Sequence, residues 1–298
     1  MARLDTQVVG AIARKDMKTA LGNPTGYVFL TLFVALTAAA AFLQDAFFSR
    51  NLADLALLNR SMPEILVLFV PALTMGAWAD ERRAGTDELL LTLPVRDGEV
   101  VLGKYLGVLG MFTVALGFSI VHVVVLATLG TPDPGLIFST FLGYWMMGVL
   151  FVAVGLLASM MTANTTVAFV LGVLGCGALV VGARQAWAAG LLGVAVFAGL
   201  GALTALAARP RAPRTGLGAG IGAGLAALWW GTDVAARLSG GEGADVPAFE
   251  TVFSWLAVPE HFAPFGEGVV QLGDVVFFAG FAAAVLYLCA FLLGRRHW

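Results

Sequence analysis

Long runs of apolar residues constrain this chain more than any other feature. The run 101–129, for example, carries a single formal charge, on Lys104. An α-helix needs about 20 apolar residues to cross the hydrocarbon core of a bilayer, whereas barrel strands are shorter and alternate polar with apolar positions. Charged residues make up only 12% of the chain, against about 25% in soluble domains. The sequence therefore predicts an all-α, polytopic helical membrane protein.

Eight runs meet this requirement for a membrane span. The second contains Pro63 and Pro71, which membrane helices tolerate when neighbouring groups satisfy the freed carbonyls. The seventh is rich in glycine. A chain of six spans, without the sixth and seventh runs, is the alternative. The eight predicted spans are 25–44, 63–80, 101–129, 135–161, 165–183, 186–207, 216–236 and 272–293.

The basic residues predict how these spans are oriented, because Lys and Arg are concentrated on the cytoplasmic side of membrane proteins. With the N-terminus inside and eight spans, 13 of the 17 Lys and Arg residues lie in inner segments. The six-span alternative would leave the basic segment 209–214 outside. We therefore expect a multi-pass protein of the inner (cytoplasmic) membrane, with both termini cytoplasmic and the lipid bilayer as its surroundings.

Two polar segments are expected at the membrane surfaces. Residues 1–24 form a cytoplasmic interfacial helix, in which apolar residues recur at helical spacing and basic side chains face anionic headgroups. A basic leader that only sets the orientation is the alternative. Residues 237–271 form an extracytoplasmic segment whose aromatic second half rests on the outer interface. The predicted interfacial anchors are Arg14, Lys15, Lys18 and Lys104.

One short motif has the order G-x-x-x-x-G-K of a phosphate-binding loop, at Gly98, Gly103 and Lys104. In such loops a Ser or Thr comes next and binds Mg²⁺, whereas this chain has Tyr105. The loop also follows a buried strand of a soluble domain, and here it opens a membrane span. We therefore predict no nucleotide site, and we interpret Lys104 as a side chain that snorkels to the headgroups. No catalytic, cofactor-binding or metal-binding residues are predicted in this chain.

The most charged part of the chain, 81–100, lies between the second and third spans. Acidic residues suit the positive end of a short helix, leucines supply apolar surface, and Pro94 ends the helix. Thr86 or Gly85 is expected to cap this helix, and Asp97 to cap the next one. The pattern predicts a docking element for a soluble partner; an inner loop that binds nothing is the alternative. The residues of this docking element are Arg82, Arg83, Gly85, Thr86, Asp87, Glu88, Leu89, Leu90, Leu93 and Pro94.

The stretch PALTMGAWADERRAGTDELLLTLPVRDGEVVLGKY, residues 71–105, resembles the central motif of ABC-2 type transporter permeases. It is most similar to the gliding-motility-associated branch, where the form ER-x-G-T-x-ELLLTLPV-x-D-x-EVVLGKY is typical. ARKDMKTALGNPTGYVFLTLF resembles the helix that leads into the family's first span. VPEHFAPFGEGVVQLGDVVFF resembles the outer segment before its last span. The resemblance covers about residues 8–183 and 250–298.

The resemblance implies a single permease domain, 1–298, with six core spans, and it makes the helix near 84–94 the coupling helix. It implies two cytoplasmic ABC ATPase subunits and a second permease chain, identical or paralogous. ATP and Mg²⁺ would belong to the ATPase, so this chain is not itself an enzyme. Residues 184–236 depart from the family pattern as an inserted helix pair.

The implied function is ATP-driven transport of an unidentified substrate, with export expected. The alternative is a secondary transporter or channel that works without ATP. Such a protein would be expected to carry several ionisable groups inside the membrane, whereas only His122 lies well inside a predicted span. No nucleic-acid partner is expected.

Overall fold

The computed structural model describes residues 5–43, 55–86, 95–182, 193–194, 196–198, 201, 212–238 and 255–294. All regular elements in these ranges are α-helices, which confirms the predicted all-α class. In chain order they are α1 Thr6–Gly22, α2 Pro24–Phe42, α3 Ala56–Thr74, α4 Gly76–Ala84, α5 Asp97–Phe118, α6 Ile120–Leu129, α7 Pro134–Met161, α8 Thr165–Val181, α9 Ala212–Leu238, α10 Val258–Gly266 and α11 Leu272–Gly294.

Several of these helices are long and apolar enough to cross a membrane. Within the described residues there are four such stretches, and a fifth is added if α1 and α2, which meet at a 77° bend, are counted as one broken span. The helix α8 is apolar but has only 17 residues. The protein is therefore a multi-pass membrane protein. The four candidates within the described residues are Ala56–Ala84, Asp97–Leu129, Pro134–Met161 and Leu272–Gly294.

The helix boundaries follow the predicted spans closely at most positions. The second span is the exception. It was predicted to begin at Pro63, whereas its helix, α3, begins at Ala56 and contains Pro63. The predicted seventh span, 216–236, falls within α9. Most of the predicted sixth span, 186–207, lies outside the described residues. The count of eight spans thus stays a prediction.

The chain divides into two compact units, and α7 is the central helix of the larger one, residues 1–177 and 261–298. It packs against α3, α4, α5 and α11. Glycines on α7 allow this close approach, because a Cβ added to Gly148 would collide with the ring of Phe112. A Cβ added to Gly155 would likewise collide with the side chain of Thr74. Small residues at helix contacts are typical of membrane bundles.

A break at Met75 separates α3 from the polar helix α4. The start of a helix leaves backbone N–H groups without partners inside the helix. On α7, the hydroxyl of Ser159 accepts from the N–H groups of Trp78 (3.0 Å) and Ala79 (3.2 Å). The same hydroxyl donates to the carbonyl of Met75 at 2.8 Å. The central helix therefore fixes the point at which α4 begins.

The smaller unit, residues 178–260, contains α9. A Cβ added to Gly222 would collide with the carbonyl of Phe197, so α9 and the segment around residue 197 meet at backbone distance. Glycine is the residue that permits such an approach. Ala226 is buried there, packed against the side chains of Val194, Val196, Phe197, Trp230 and Leu256.

The N-terminal helix α1, which corresponds to the predicted interfacial helix, lies along the first half of α5. Its more buried face is the apolar face predicted from the sequence, whereas Arg14 and Lys18 are exposed. Three glycines on α5 form a groove for this face, and we call it the glycine groove. A Cβ added to each would lie within 3.0 Å of a side-chain atom of α1: Gly103 against Ile12 (2.7 Å), Gly107 against Asp16 (3.0 Å) and Gly110 against Met17 (2.9 Å).

The glycine groove leads to a prediction with a matched control on the same helix. Gly103→Ala places a methyl group against the Cβ of Ile12, and overpacking of this kind costs about 1–3 kcal/mol. Gly98→Ala meets nothing within 4 Å and gains up to about 1 kcal/mol of helix propensity. Thermal unfolding of the purified protein in detergent should give a lower midpoint for Gly103→Ala and an equal or higher one for Gly98→Ala. Equal midpoints for the two variants would show that α1 does not occupy this groove.

Candidate functional site

The helix α4 ends where the predicted docking element begins. Gly85 has a φ of 68°, a left-handed conformation that glycine adopts without strain. Its N–H donates to the carbonyl of Arg82 at 3.1 Å, and the hydroxyl of Thr86 donates to the carbonyl of Glu81 at 3.2 Å. These two residues thus finish α4, whereas we predicted one of them as the cap of the next helix. The rest of the element lies outside the described residues: Asp87, Glu88, Leu89, Leu90, Leu93 and Pro94.

The two arginines of the predicted element, Arg82 and Arg83, lie in the last turn of α4. Positive charge is favourable at this end of a helix because of the helix dipole. The guanidinium of Arg83 also forms an ion pair with Asp80 at 2.9 Å. Both side chains of the pair are largely exposed, and exposed pairs contribute only about 0–1 kcal/mol. The two arginines therefore act mainly by stabilising the last turn of α4 through its dipole.

Lys104 lies beneath α1 and is almost fully buried, with 2% of its side chain exposed. Its Nζ lies 2.8 Å from Oε2 of Glu81 on α4 and donates to the carbonyl of Ala77 at 2.8 Å. The same nitrogen lies 3.8 Å from Oδ2 of Asp16 on α1. It also lies 4.9 Å from the centre of the Trp78 ring, where cation–π attraction adds to the interaction. One ammonium group on α5 therefore joins α1 and α4.

This position differs from the headgroup anchor predicted for Lys104. A lysine snorkels to keep its charge in water, but a buried charge is tolerated when other groups pair with it. Glu81 and Asp16 are such groups, and they are far from Lys104 in sequence. The next residue, Tyr105, is also used for packing: its hydroxyl donates to the carbonyl of Val149 at 2.9 Å. Of the G-x-x-x-x-G-K order, Gly103 and Lys104 thus serve the seating of α1 on α5, whereas a Cβ added to Gly98 would contact nothing on α1.

Glu99 joins the start of α1 to the start of α5. Its Oε1 accepts the backbone N–H of Asp5 at 2.9 Å, and its Oε2 accepts the backbone N–H of Arg96 at 3.1 Å. Only 4% of Glu99 is exposed. Asp97, predicted as the cap of this helix, is instead its first residue, and Arg96 is the N-cap. Glu99, three residues after the N-cap, is the local signal of this arrangement, but Arg is not a usual N-cap residue.

Lys15, another predicted anchor, lies at the edge of the Lys104 cluster. Its Nζ is 3.3 Å from Glu81 and 3.5 Å from Asp16, and 60% of its side chain is exposed. Partial burial lowers the pKa of Lys15, but attraction to the two carboxylates outweighs this, so the pKa is raised above its usual value. The cluster thus contains two lysines and two carboxylates, and its formal charge is balanced.

A second polar cluster surrounds α10, near the end of the predicted outer segment. Nδ1 of His261 lies 2.7 Å from Oδ1 of Asp274, at the start of α11. The ring of His261 stacks on Phe277 with 3.8 Å between centroids. The hydroxyl of Ser139 on α7 donates to the carbonyl of Phe265 at 2.9 Å. These contacts join α10 to α7 and α11. No local sequence pattern indicates the pairing of His261 with Asp274.

The chemistry available at these two clusters is charge pairing and helix capping. In the part of the chain that the structure describes, no three His, Cys, Asp or Glu residues are placed to hold a metal ion. His122 is buried in α6, where its Nδ1 lies 2.6 Å from the carbonyl of Ser119 and its Nε2 lies 3.5 Å from the hydroxyl of Thr37. It thus packs as a hydrogen-bonded residue.

Residues 10–195 match the family model described as ABC-2 family transporter protein. The match includes most of α1, all of α2 to α8 and the segment that connects α4 with α5. Among curated proteins, none matches the chain. The matched residues make up more than half of the chain. Among the described helices, they include three of the four stretches that are long enough to cross a membrane. The chain therefore belongs to the ABC-2 family of transporter proteins and is the membrane-spanning component of an ATP-binding-cassette transporter.

Proposed function

We propose that this chain moves its substrate with energy from ATP that is hydrolysed by a separate cytoplasmic ABC ATPase docked on the coupling region 81–100. The observation that carries the proposal is the way the two ends of segment 87–94 are held. At one end, Gly85 terminates α4, which continues the stretch Ala56–Ala84. At the other, Glu99 caps α5, which begins the stretch Asp97–Leu129. A partner that displaces this segment therefore displaces two membrane spans.

The docking surface is expected to be apolar at its centre. Leu89, Leu90 and Leu93 lie between the acidic start of the segment and Pro94. Burial of one leucine side chain in a partner's groove is worth about 1.5–3 kcal/mol. ATP and Mg²⁺ would be held by the ATPase subunit, since Tyr105 replaces the Ser or Thr that a phosphate-binding loop requires here. The contribution of this chain is to receive a movement and pass it to its spans.

The assembly is proposed to contain two permease chains, identical or paralogous, and two ATPase subunits. The motif in residues 71–105 supports a position in the gliding-motility-associated branch of the family, with export of the substrate. The distribution of Lys and Arg supports eight spans and cytoplasmic termini. In this topology α9 is the seventh span, and residues 237–271 lie outside the cell membrane. The additional pair of spans, 184–236, is absent from the six-span core of the family.

Docking by the leucines is tested with Leu90→Asp. An aspartate loses the apolar burial and adds the desolvation cost of an unpaired charge, so association with the ATPase should weaken more than about tenfold, a factor that corresponds to about 1.4 kcal/mol. The amount of mutant chain in the membrane fraction should stay unchanged. Copurification of the ATPase with the tagged chain measures both. Val269→Asp, which replaces an exposed apolar residue before α11, is the control and should retain the ATPase. Full ATPase binding by aspartate variants at Leu89, Leu90 and Leu93 alike would refute the docking assignment.

The eight-span topology is tested by labelling of intact cells with an impermeant maleimide. Arg211→Cys should resist the reagent because residue 211 is placed inside, and Gly243→Cys should react because residue 243 is placed outside. The two native cysteines, Cys176 and Cys289, are buried and provide a low background. Arg211→Cys should become reactive once the cells are permeabilised. Its labelling in sealed cells would exclude the eight-span arrangement.

A further inference from the structure

The helix α1 is bonded to both ends of the coupling segment 87–94, through two charged residues of α5. From this geometry we infer that Lys104 and Glu99 are positioning residues, which join α1, the end of α4 and the start of α5 into one body that responds to the ATPase as a unit. The inference rests on the proposed function, in which the ATPase docks at this segment. It adds that α1 moves together with the segment on which the ATPase docks. It also adds that two residues outside the docking surface, Lys104 and Glu99, determine how these helices respond to the ATPase.

The first end of the segment is held by Lys104. Its partner Glu81 lies in the last turn of α4, shortly before Gly85. The ammonium group also bonds to the carbonyl of Ala77, one turn earlier on α4. Asp16 approaches the same nitrogen from α1. A displacement of the end of α4 relative to α1 or α5 would thus separate the buried ammonium group from its partly buried carboxylate partners, which costs more than the same separation in water.

The second end is held by Glu99. One carboxylate oxygen binds the N–H of Arg96, directly before α5, and the other binds the N–H of Asp5, directly before α1. Hydrogen bonds to a charged acceptor are about twice as strong as neutral ones. Only 4% of Glu99 is exposed, and its two hydrogen bonds are partly buried. The chain that leaves the coupling segment is therefore bonded, through Glu99, to the residue directly before α1.

Between these two ends, the glycine groove removes the space in which α1 could slide. Gly103 lies directly before Lys104, and the Cβ of Ile12 occupies the place of its missing side chain. Apolar contacts and the groove already hold α1 against α5.

A buried ion pair is weak evidence for added stability, because the desolvation of two charges offsets most of their attraction. A better-attested use of such groups is to fix one register among several, which is the role we assign to Lys104.

The joining of α1 to α4 is tested on the purified chain in lipid nanodiscs, without any ATPase. Spin labels at Arg14→Cys on α1 and Arg83→Cys on α4 occupy exposed positions, and the buried native cysteines should remain unlabelled. Pulsed electron paramagnetic resonance should give one narrow distance distribution. Lys104→Met, which keeps the length and removes the charge, should broaden or split it. Arg60→Met, which removes an exposed charge on α3, should leave it narrow. An unchanged distribution in Lys104→Met would overturn the inference.

The functional arm uses the complex of the chain with its copurified ATPase. Lys104→Met should keep ATPase association within about threefold of wild type, since the residue lies outside the docking surface, a change of less than about 0.7 kcal/mol. ATP hydrolysis stimulated by the permease should fall at least about fivefold, because α5 then loses the ammonium group that pairs with Glu81 of α4, whereas Lys15 of α1 still pairs with Glu81 and Asp16. Loss of both properties in parallel, or of neither, would overturn the positioning role.

Two further measurements keep the outcomes distinct. If Lys104→Met does not yield folded protein, Lys104→Gln, which removes the charge and keeps a donor for the carbonyl of Ala77, takes its place in the spin-label arm with the same expectations. Glu99→Gln, which keeps one neutral acceptor, takes its place in the ATPase arm. If the wild-type chain recruits no ATPase, the proposed function fails, and the spin-label distances alone decide whether α1 and α4 form one body. Failure of the inference with intact ATPase recruitment would leave the proposed function standing.

Discussion

The burial of one ammonium group, that of Lys104, is the interaction on which the polar end of this helix bundle depends. Removal of such a charge from water costs several kcal/mol unless partners are in place. The partners come from α4 and α1, as Glu81, the carbonyl of Ala77 and the more distant Asp16. The lysine therefore requires both helices to be close. The glycine at position 103 is what permits α1 to come close, so the two adjacent residues act together.

The arrangement of α4 makes this end of the bundle a suitable receiver of force. Its start is capped by Ser159 of the central helix α7, and its end is paired with α5 through Glu81. A short helix that is held at both ends moves its neighbours when it is displaced, whereas a loose loop would absorb the displacement. Close contacts such as that of Gly155 with Thr74 extend the rigid packing into α7. In the proposed transporter, this is how movement of the ATPase would reach the membrane spans.

The hydropathy of the sequence predicted most of the fold, because the thickness of a bilayer dictates the length of apolar runs. The amphipathic α1 was also predicted from the sequence, and α2 begins at Pro24, one residue before the predicted first span. The pairings of Lys104 with Glu81 and of His261 with Asp274 were not. Each depends on which helices become neighbours, and no local pattern specifies that.

The candidate site shows the same division between local and tertiary information. The position of the charged region 81–100 between two spans was predictable from the sequence alone. The seating of α1 on α5 was not, since a glycine in an apolar run has many possible roles. The order G-x-x-x-x-G-K, which includes Gly103 and Lys104, is typical of a phosphate-binding loop. Tyr105 argues against such a loop, because a Ser or Thr is required at that position. The roles of Gly103 and Lys104 depend on their neighbours in space, Ile12 of α1 and Glu81 of α4, which are distant in sequence.

The central claim, that an ATPase subunit docks on the coupling segment, is tested most directly by site-specific photo-crosslinking in cells. A photoreactive phenylalanine analogue at Leu90 should form an adduct with the ATPase upon illumination, and peptide mapping should place the adduct in one groove of that subunit. The same analogue at Val269, in the predicted outer segment, should give no such adduct. If the analogue at Leu90 reacts only with lipid or with the permease itself, while the ATPase is present in the same cells, docking on this segment is contradicted.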